Sequence, residues 1–156
     1  MRPRDLVATA RLLATSSKSK PSQVHLRRAV STAYYALFHA LAANGADLLI
    51  GGHSSATSRD ARRQVYRALD HGTARTACQN NHIVSRFPKA IEVFAGLFVT
   101  MQLKRNLADY DPSKRYTRSE VLQDIATVES VIAAFMAQPK RDRQAFSAYV
   151  LFRARP

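Results

Sequence analysis

An all-α fold, an antiparallel bundle of four to six helices, is what this sequence predicts, and three observations predict it. Apolar residues recur at three- and four-residue spacing through successive segments, and nothing alternates with period two for long. Glycine is scarce, with five among 156 residues. Hydrophobic residues make up 46%, enough for one domain spanning residues 1–156 to bury a core without disulfides or metal.

The first helix is expected over roughly Arg4 to Thr15, with Leu6, Ala10 and Leu13 on one face, ending in the Ser16-to-Pro21 stretch, a loop by composition. Ser22 offers an N-cap for a long second helix, in which Leu26, Val30, Ala33, Tyr34, Leu37 and Leu41 recur at helical spacing until Gly45. Asp47 to Thr57, with two adjacent glycines, reads as a surface loop. A third helix follows near Ser58 to Asp70, with Ala61, Val65, Ala68 and Leu69 inward and a stop at Gly72.

After a polar connection through Asn80 and Asn81, Pro88 occupies the first turn of a fourth helix. Its core stripe is Ile91, Phe94, Leu97, Phe98 and Met101, and it runs to about Tyr110. Asp111 precedes Pro112, which pushes it out of the α region, so the helix breaks there. Thr117 and Glu120 form a capping-box signature for a fifth helix, with Val121, Ile125, Val128, Ile132 and Phe135 inward. Pro139 ends that helix, and a weaker sixth is expected after it.

Twenty-four Lys and Arg against eleven Asp and Glu leave a formal charge of +13, which attracts polyanions over more than contact range. The same charge also serves plain solubility. Basic clusters lie at Arg2, Arg4 and Arg11, at Arg59 to Arg67, and at Lys140 to Arg143. Guanidinium forks at Arg27, Arg28, Arg59, Arg62, Arg63 and Arg67 match phosphate oxygens in pairs, so these six are the candidate nucleic-acid contacts; a solvated helix face is the other reading of the same residues. The single cysteine, Cys78, excludes an intrachain disulfide and lacks the neighbours of a zinc or redox motif. Ala29 to Ala46 carries Ser, Thr, Tyr, His and Asn and reads as a buried helix rather than a membrane span. The N-terminus lacks the apolar run of a secretory signal, so a cytoplasmic location without membrane attachment is expected. His25, His53, His71 and His82 are scattered without ligand spacing, and no metal or cofactor is proposed. His39, on a largely apolar segment, reads as a satisfied core histidine, with Tyr34 a core and Tyr35 an interface aromatic.

The stretch that departs from ordinary amphipathic patterning is Arg105-Asn106-Leu107-Ala108-Asp109-Tyr110-Asp111-Pro112. Two acids at a helix C-terminus face the negative end of the macrodipole, at a cost of a few tenths of a kcal/mol, and something must compensate. Arg105 and Asp109, four apart, share a face and can pair; a plain intrahelical ion pair is one reading of them.

With its "AYYALFHA" helix at Ala33 to Ala40 and its "R-x-x-A-D-Y" helix end at Arg105 to Tyr110, the chain resembles the small stand-alone HEPN-domain proteins. The resemblance spans about Arg27 to about Phe135. It implies a bundle that forms a homodimer, with the arginine motifs of both subunits across one cleft, and in many members a metal-independent endoribonuclease of toxin–antitoxin or defence type. There an R-x4-6-H motif supplies the chemistry: the arginine steadies the phosphate and the histidine moves protons. Arg105 and Asn106 match its first part, but Tyr110 stands at the histidine position, and no histidine follows it. A phenol of ordinary pKa about 10 is a poor base near neutral pH. Two readings therefore stand from the sequence: an RNA-directed protein that cleaves RNA with Arg105, Asn106, Asp109 and Tyr110, and a noncatalytic nucleotide- or RNA-binding or protein-interaction module using the same cleft. The resemblance implies a third arrangement, pairing with a small nucleotidyltransferase antitoxin that modifies a tyrosine, here Tyr110.

Overall fold

The computed structural model describes residues 1–51 and 55–154. Among them the chain forms a bundle of eight helices and no strand: α1 (Pro3–Thr15), α2 (Gln23–Leu49), α3 (Ala56–Ala68), α4 (His71–Gln79), α5 (Asn81–Val84), α6 (Lys89–Tyr110), α7 (Arg118–Met136) and α8 (Lys140–Leu151). No helix among the described residues is long and apolar enough to cross a membrane.

The long helix α2 is the axis of the bundle, touching α1, α3, α6, α7 and α8. Its sequence explains why. Alanines at 29, 33, 36, 40, 42 and 46, all buried, allow close approach, while Leu26, Val30, Tyr34, Leu37 and Leu41 fill the space between helices. A helix that is apolar on most sides belongs in the middle. Each large side chain buried there contributes about 1.5–3 kcal/mol. Ser22 caps its start by accepting the His25 amide. Phe94 and Phe98 of α6, Phe135 of α7 and Phe146 of α8 complete the core, with Phe94 and Phe135 stacked at 4.3 Å.

Several boundaries differ from the sequence expectation. Helix α2 does not stop at Gly45 but continues to Leu49. Gly45 is instead a packing position: a Cβ there would lie 3.1 Å from Leu151 Cδ1 and 3.6 Å from Ser147 Cβ, so α8 presses on α2 at that point. The expected loop is shorter for the same reason, and Gly52, His53 and Ser54 within it lie outside the described residues. Helix α3 buries none of its residues and sits at the periphery; Ala61 and Val65 are half-buried, Ala68 is exposed, and of the expected stripe only Leu69, its C-cap, enters the core. The chain then turns straight into α4, because the Asp70 carboxylate caps it, accepting the Thr73 amide at 2.8 Å. Gly72 is thus inside a helix rather than ending one. The polar connection expected before α6 is largely α4 and the short α5, with Asn80 as the latter's cap.

In α1 the inward residues are Val7, Ala10 and Ala14, with Leu6 and Leu13 half-buried beside them. In α6 the expected stripe is buried except for half-buried Leu97, and Pro88 lies at the cap rather than in the first turn. Helix α7 begins with both arms of its capping box formed, and Ile132 is the one half-buried member of its stripe. Helix α8 is a regular helix that buries Phe146, Ser147 and Val150.

Candidate nucleic-acid interface

The C-terminus of α6 is shaped by proline chemistry. Pro112 forces Asp111 to an extended conformation, φ −94° and ψ 105°, and the last carbonyls of the helix are left without amide partners. Arg27, from the first turns of α2, supplies a donor to one of them and to carbonyls of the turn that follows. Its guanidinium donates to Ala108 O at 2.9 Å, Asp111 O at 2.7 Å, Pro112 O at 3.0 Å and Lys114 O at 2.6 Å. A cation at this position also opposes the negative end of the helix dipole, which compensates the two acids there. Arg27 therefore braces the helix end, its guanidinium committed to main-chain acceptors.

Asp109 is held twice over. Ser31 of α2 donates to its Oδ1 at 2.5 Å, and Arg105 Nε lies 2.8 Å from its Oδ2, an ion pair whose N–H is not aligned as a hydrogen bond. Arg105 is largely covered, with its side chain 18% exposed. It donates from Nη1 to Asn106 Oδ1 at 3.1 Å and from Nη2 to the Tyr35 hydroxyl at 3.1 Å. The guanidinium carbon lies 5.6 Å from the centre of the Tyr35 ring and 5.8 Å from that of Tyr110. Burial works against its charge, and Tyr35, Asp109 and Tyr110 more than offset that, so its pKa is raised above the ordinary arginine value. Each Nη group has used one of its two hydrogens on a protein partner among the described residues, leaving a pair of donors for an acceptor from outside.

Those residues line a cleft of about 500 Å³, with Val24, Arg28, Tyr35, Arg105, Asp109 and Tyr110 along its sides. Tyr110 is 75% exposed and Arg28 is exposed. A larger cavity of about 850 Å³ lies between α4, α5 and the end of α8, lined by Thr73, Ile83, Tyr149 and Phe152 among others. It contains none of the motif residues, and the smaller cleft is the one that combines arginines with the helix end.

The predicted arginines separate into two groups. Arg27 and Arg28 are brought to the cleft with Arg105. Arg59, Arg62, Arg63 and Arg67 stay on α3, where Arg63 and Arg67 flank a shallow groove with Asp60 and Gln64. Arg62 is bound to Asp47, with Nε at 2.9 Å and Nη2 at 2.5 Å from one carboxylate oxygen, so three of the four remain exposed without that tie.

His71 is the residue near the site that no motif signals. It opens α4, its Nδ1 lies 2.7 Å from the Tyr34 hydroxyl, and its ring stacks on Phe38 at 4.1 Å and meets Tyr35 edge-on at 5.9 Å. Burial, and then the charge of Arg105, hold its pKa below the usual histidine value. His39 is half-buried and bonded through Nδ1 to the Tyr66 hydroxyl of α3; burial lowers its pKa too. Burial pushes the fully enclosed Tyr34 phenol far above its ordinary value. The only forewarning of His71 was the Asp70-to-Thr73 cap, which would have revealed α4. No family model, curated protein or solved structure matches the chain.

Proposed function

We propose that this chain is a HEPN-like, RNA-directed protein that works as a homodimer and holds backbone phosphate at Arg105. The observation that carries the reading is the state of that arginine: covered, fixed by Asp109, Asn106 and Tyr35, and still keeping one donor on each Nη at the edge of a cleft that Arg28 shares. A guanidinium oriented in advance loses little freedom when it grips two phosphate oxygens.

A second chain has a surface to use. Val93, Gly96, Thr100, Leu103, Leu107 and Tyr110 form one uncharged stripe along α6 at alternating three- and four-residue spacing, the pattern by which helices pair. Val93 and Leu103 are 45% and 53% exposed. Gly96 costs an isolated helix about 1 kcal/mol relative to alanine, yet a Cβ there would meet nothing within 4 Å in this chain, so close approach of another helix accounts for it. The stripe ends at Tyr110, so parallel pairing along it would set two Arg105 clefts side by side.

Cleavage is the second reading. Asn106 and Tyr110 stand against Arg105, and two clefts together would offer two phenols to one phosphodiester. Against it, no histidine among the described residues lines the cleft of one chain.

The test is incubation of purified protein with mixed RNA in EDTA, beside an Arg105→Ala variant, with binding and cleavage read on the same samples and sedimentation run on both. Expected are a particle of two chains at micromolar concentration and binding that Arg105→Ala weakens about ten-fold. Cleavage by the parent that the variant loses would establish a metal-independent ribonuclease. A monomer, or binding indifferent to Arg105, would overturn the proposal.

A further inference from the structure

The cleft at Arg105 does not end at the tyrosine that holds the guanidinium. Beyond Tyr35, rings follow one another across the outer side of α2 onto α3. Tyr110 and Tyr35 flank the Arg105 guanidinium at 5.8 Å and 5.6 Å; Tyr35 lies 6.2 Å from His39, tilted by 33°, and His39 lies 5.8 Å from Tyr66, nearly parallel at 25°. These rings come from three helices, α6, α2 and α3, far apart in sequence.

Three features set the row apart from the core aromatics. Tyr35, His39 and Tyr66 are half-buried, whereas Tyr34, Phe94 and Phe98 are fully enclosed, so each residue of the row keeps some contact with solvent. Each is also pinned. The Tyr35 hydroxyl accepts from Arg105, and the Tyr66 hydroxyl is bonded to His39 Nδ1, so these side chains have already lost the freedom that binding would otherwise take from them. Arginines stand at both ends: Arg28 and Arg105 at the cleft, and Arg63 and Arg67 on the helix that carries Tyr66.

A row of fixed, partly open rings between cationic ends is suited to nucleobases that are not already paired. A duplex turns its bases inward and presents phosphate outward; it would use the arginines and leave the rings idle. An unpaired strand presents π-faces that stack on rings regardless of base identity, while its phosphates reach the arginines.

Building on the RNA-directed reading above, we infer that the row Tyr110, Tyr35, His39 and Tyr66 is a stacking track for unpaired bases, so that the strand held at Arg105 is single-stranded as it crosses α2 towards α3. Three of the chain's six tyrosines, Tyr35, Tyr66 and Tyr110, belong to this row, and there is no tryptophan to mask their share of the emission.

The experiment compares three ligands on the full chain at low salt: a short unstructured RNA, the same RNA annealed to its complement, and a strand of equal phosphate number without bases. The unpaired RNA should bind about ten-fold tighter than either of the others and quench tyrosine emission. Tyr66→Leu should weaken that ligand about ten-fold and leave the baseless strand unchanged, while Tyr66→Phe, which keeps the ring, should behave as the parent. Tyr110→Leu, at a site 75% exposed and outside the core, repeats the test where folding is not at issue, with sedimentation run beside it because Tyr110 also ends the α6 stripe that pairs two chains in the reading above. Equal affinity for the unpaired and baseless strands would overturn the track, as would a Tyr66→Leu effect equal for all three ligands, which would mean that the rings only seal α2 against α3. Both of those results leave salt-dependent binding in place; binding of none of the three would instead sink the RNA-directed reading on which the track rests.

Discussion

Arginine appears on this molecule in two states, at the end of α6 and along α3. Arg105 is 18% exposed, paired with Asp109 and flanked by two tyrosine rings. Arg59, Arg63 and Arg67 are exposed on a helix that buries nothing. The sequence offers both as candidate phosphate contacts, but the physical contributions differ. A covered, oriented guanidinium selects by geometry, and its loss leaves partners unpaired. Exposed guanidinium groups act through the long-range field, raise encounter rates and are weakened by salt.

The largest effect that would break this contrast is at Arg27, the brace behind Arg105. Arg27→Ala removes four hydrogen bonds to carbonyls at the end of α6 and in the turn that follows it, so stability should fall by about 3 kcal/mol, with Tm lower by roughly 6–12 °C. Urea unfolding measures it, and an effect within about 0.5 kcal/mol would mean that water replaces the brace without penalty.

A smaller effect sharpens the other side. Arg63→Gln with Arg67→Gln should leave stability within about 0.5 kcal/mol and flatten the slope of log affinity for RNA against log salt by roughly 1 to 2. An unchanged slope would remove α3 from the interface.

The smallest effect concerns two histidines, one in the ring row and one against it. His39 and His71 are held below the ordinary histidine value of 6.5, chiefly by burial. The unfolded chain takes up their protons first, so their contribution to stability is complete above that value and is lost as pH falls from 6.5 towards the lower native pKa values. Tm should therefore drop between about pH 7.5 and about pH 5.5, and a variant carrying His39→Phe and His71→Phe should lose most of that drop. Asp70, Glu120 and Glu129, held below the ordinary carboxylate range mainly by their hydrogen bonds, act only at more acid pH.

How far the sequence reveals these regions follows from what each depends on. Helices α2, α6 and α7 declare themselves because periodic apolar residues and local caps lie close together in the chain, as in the Thr117 and Glu120 box and the Asp111–Pro112 break. Helix α4 does not, since only Ala74 and Cys78 of it are buried and its Gly72 resembles a stop. Gly45 misleads for a different reason: the helix it seemed to end needs a small residue for the approach of α8, a fact of tertiary packing. At the site, the Arg105–Asp109 pairing is legible because both lie on one helix face. The Arg27 brace is not, because its targets are main-chain carbonyls 81 to 87 residues away, and a carbonyl has no signature in the sequence. The meetings of Ser31 with Asp109 and of Tyr35 with Arg105 are equally invisible until α2 and α6 dock.

The Arg27 brace also sets an order of events during synthesis. Arg27 is made early and waits for acceptors that include the carbonyl of Lys114, so the grip on the end of α6 cannot close until the chain has been extended past that residue. A nascent chain shorter than this has the four arginines of α3 but not the closed brace at the end of α6. The positive charge of α3 is thus in place before the far side of the cleft has its support.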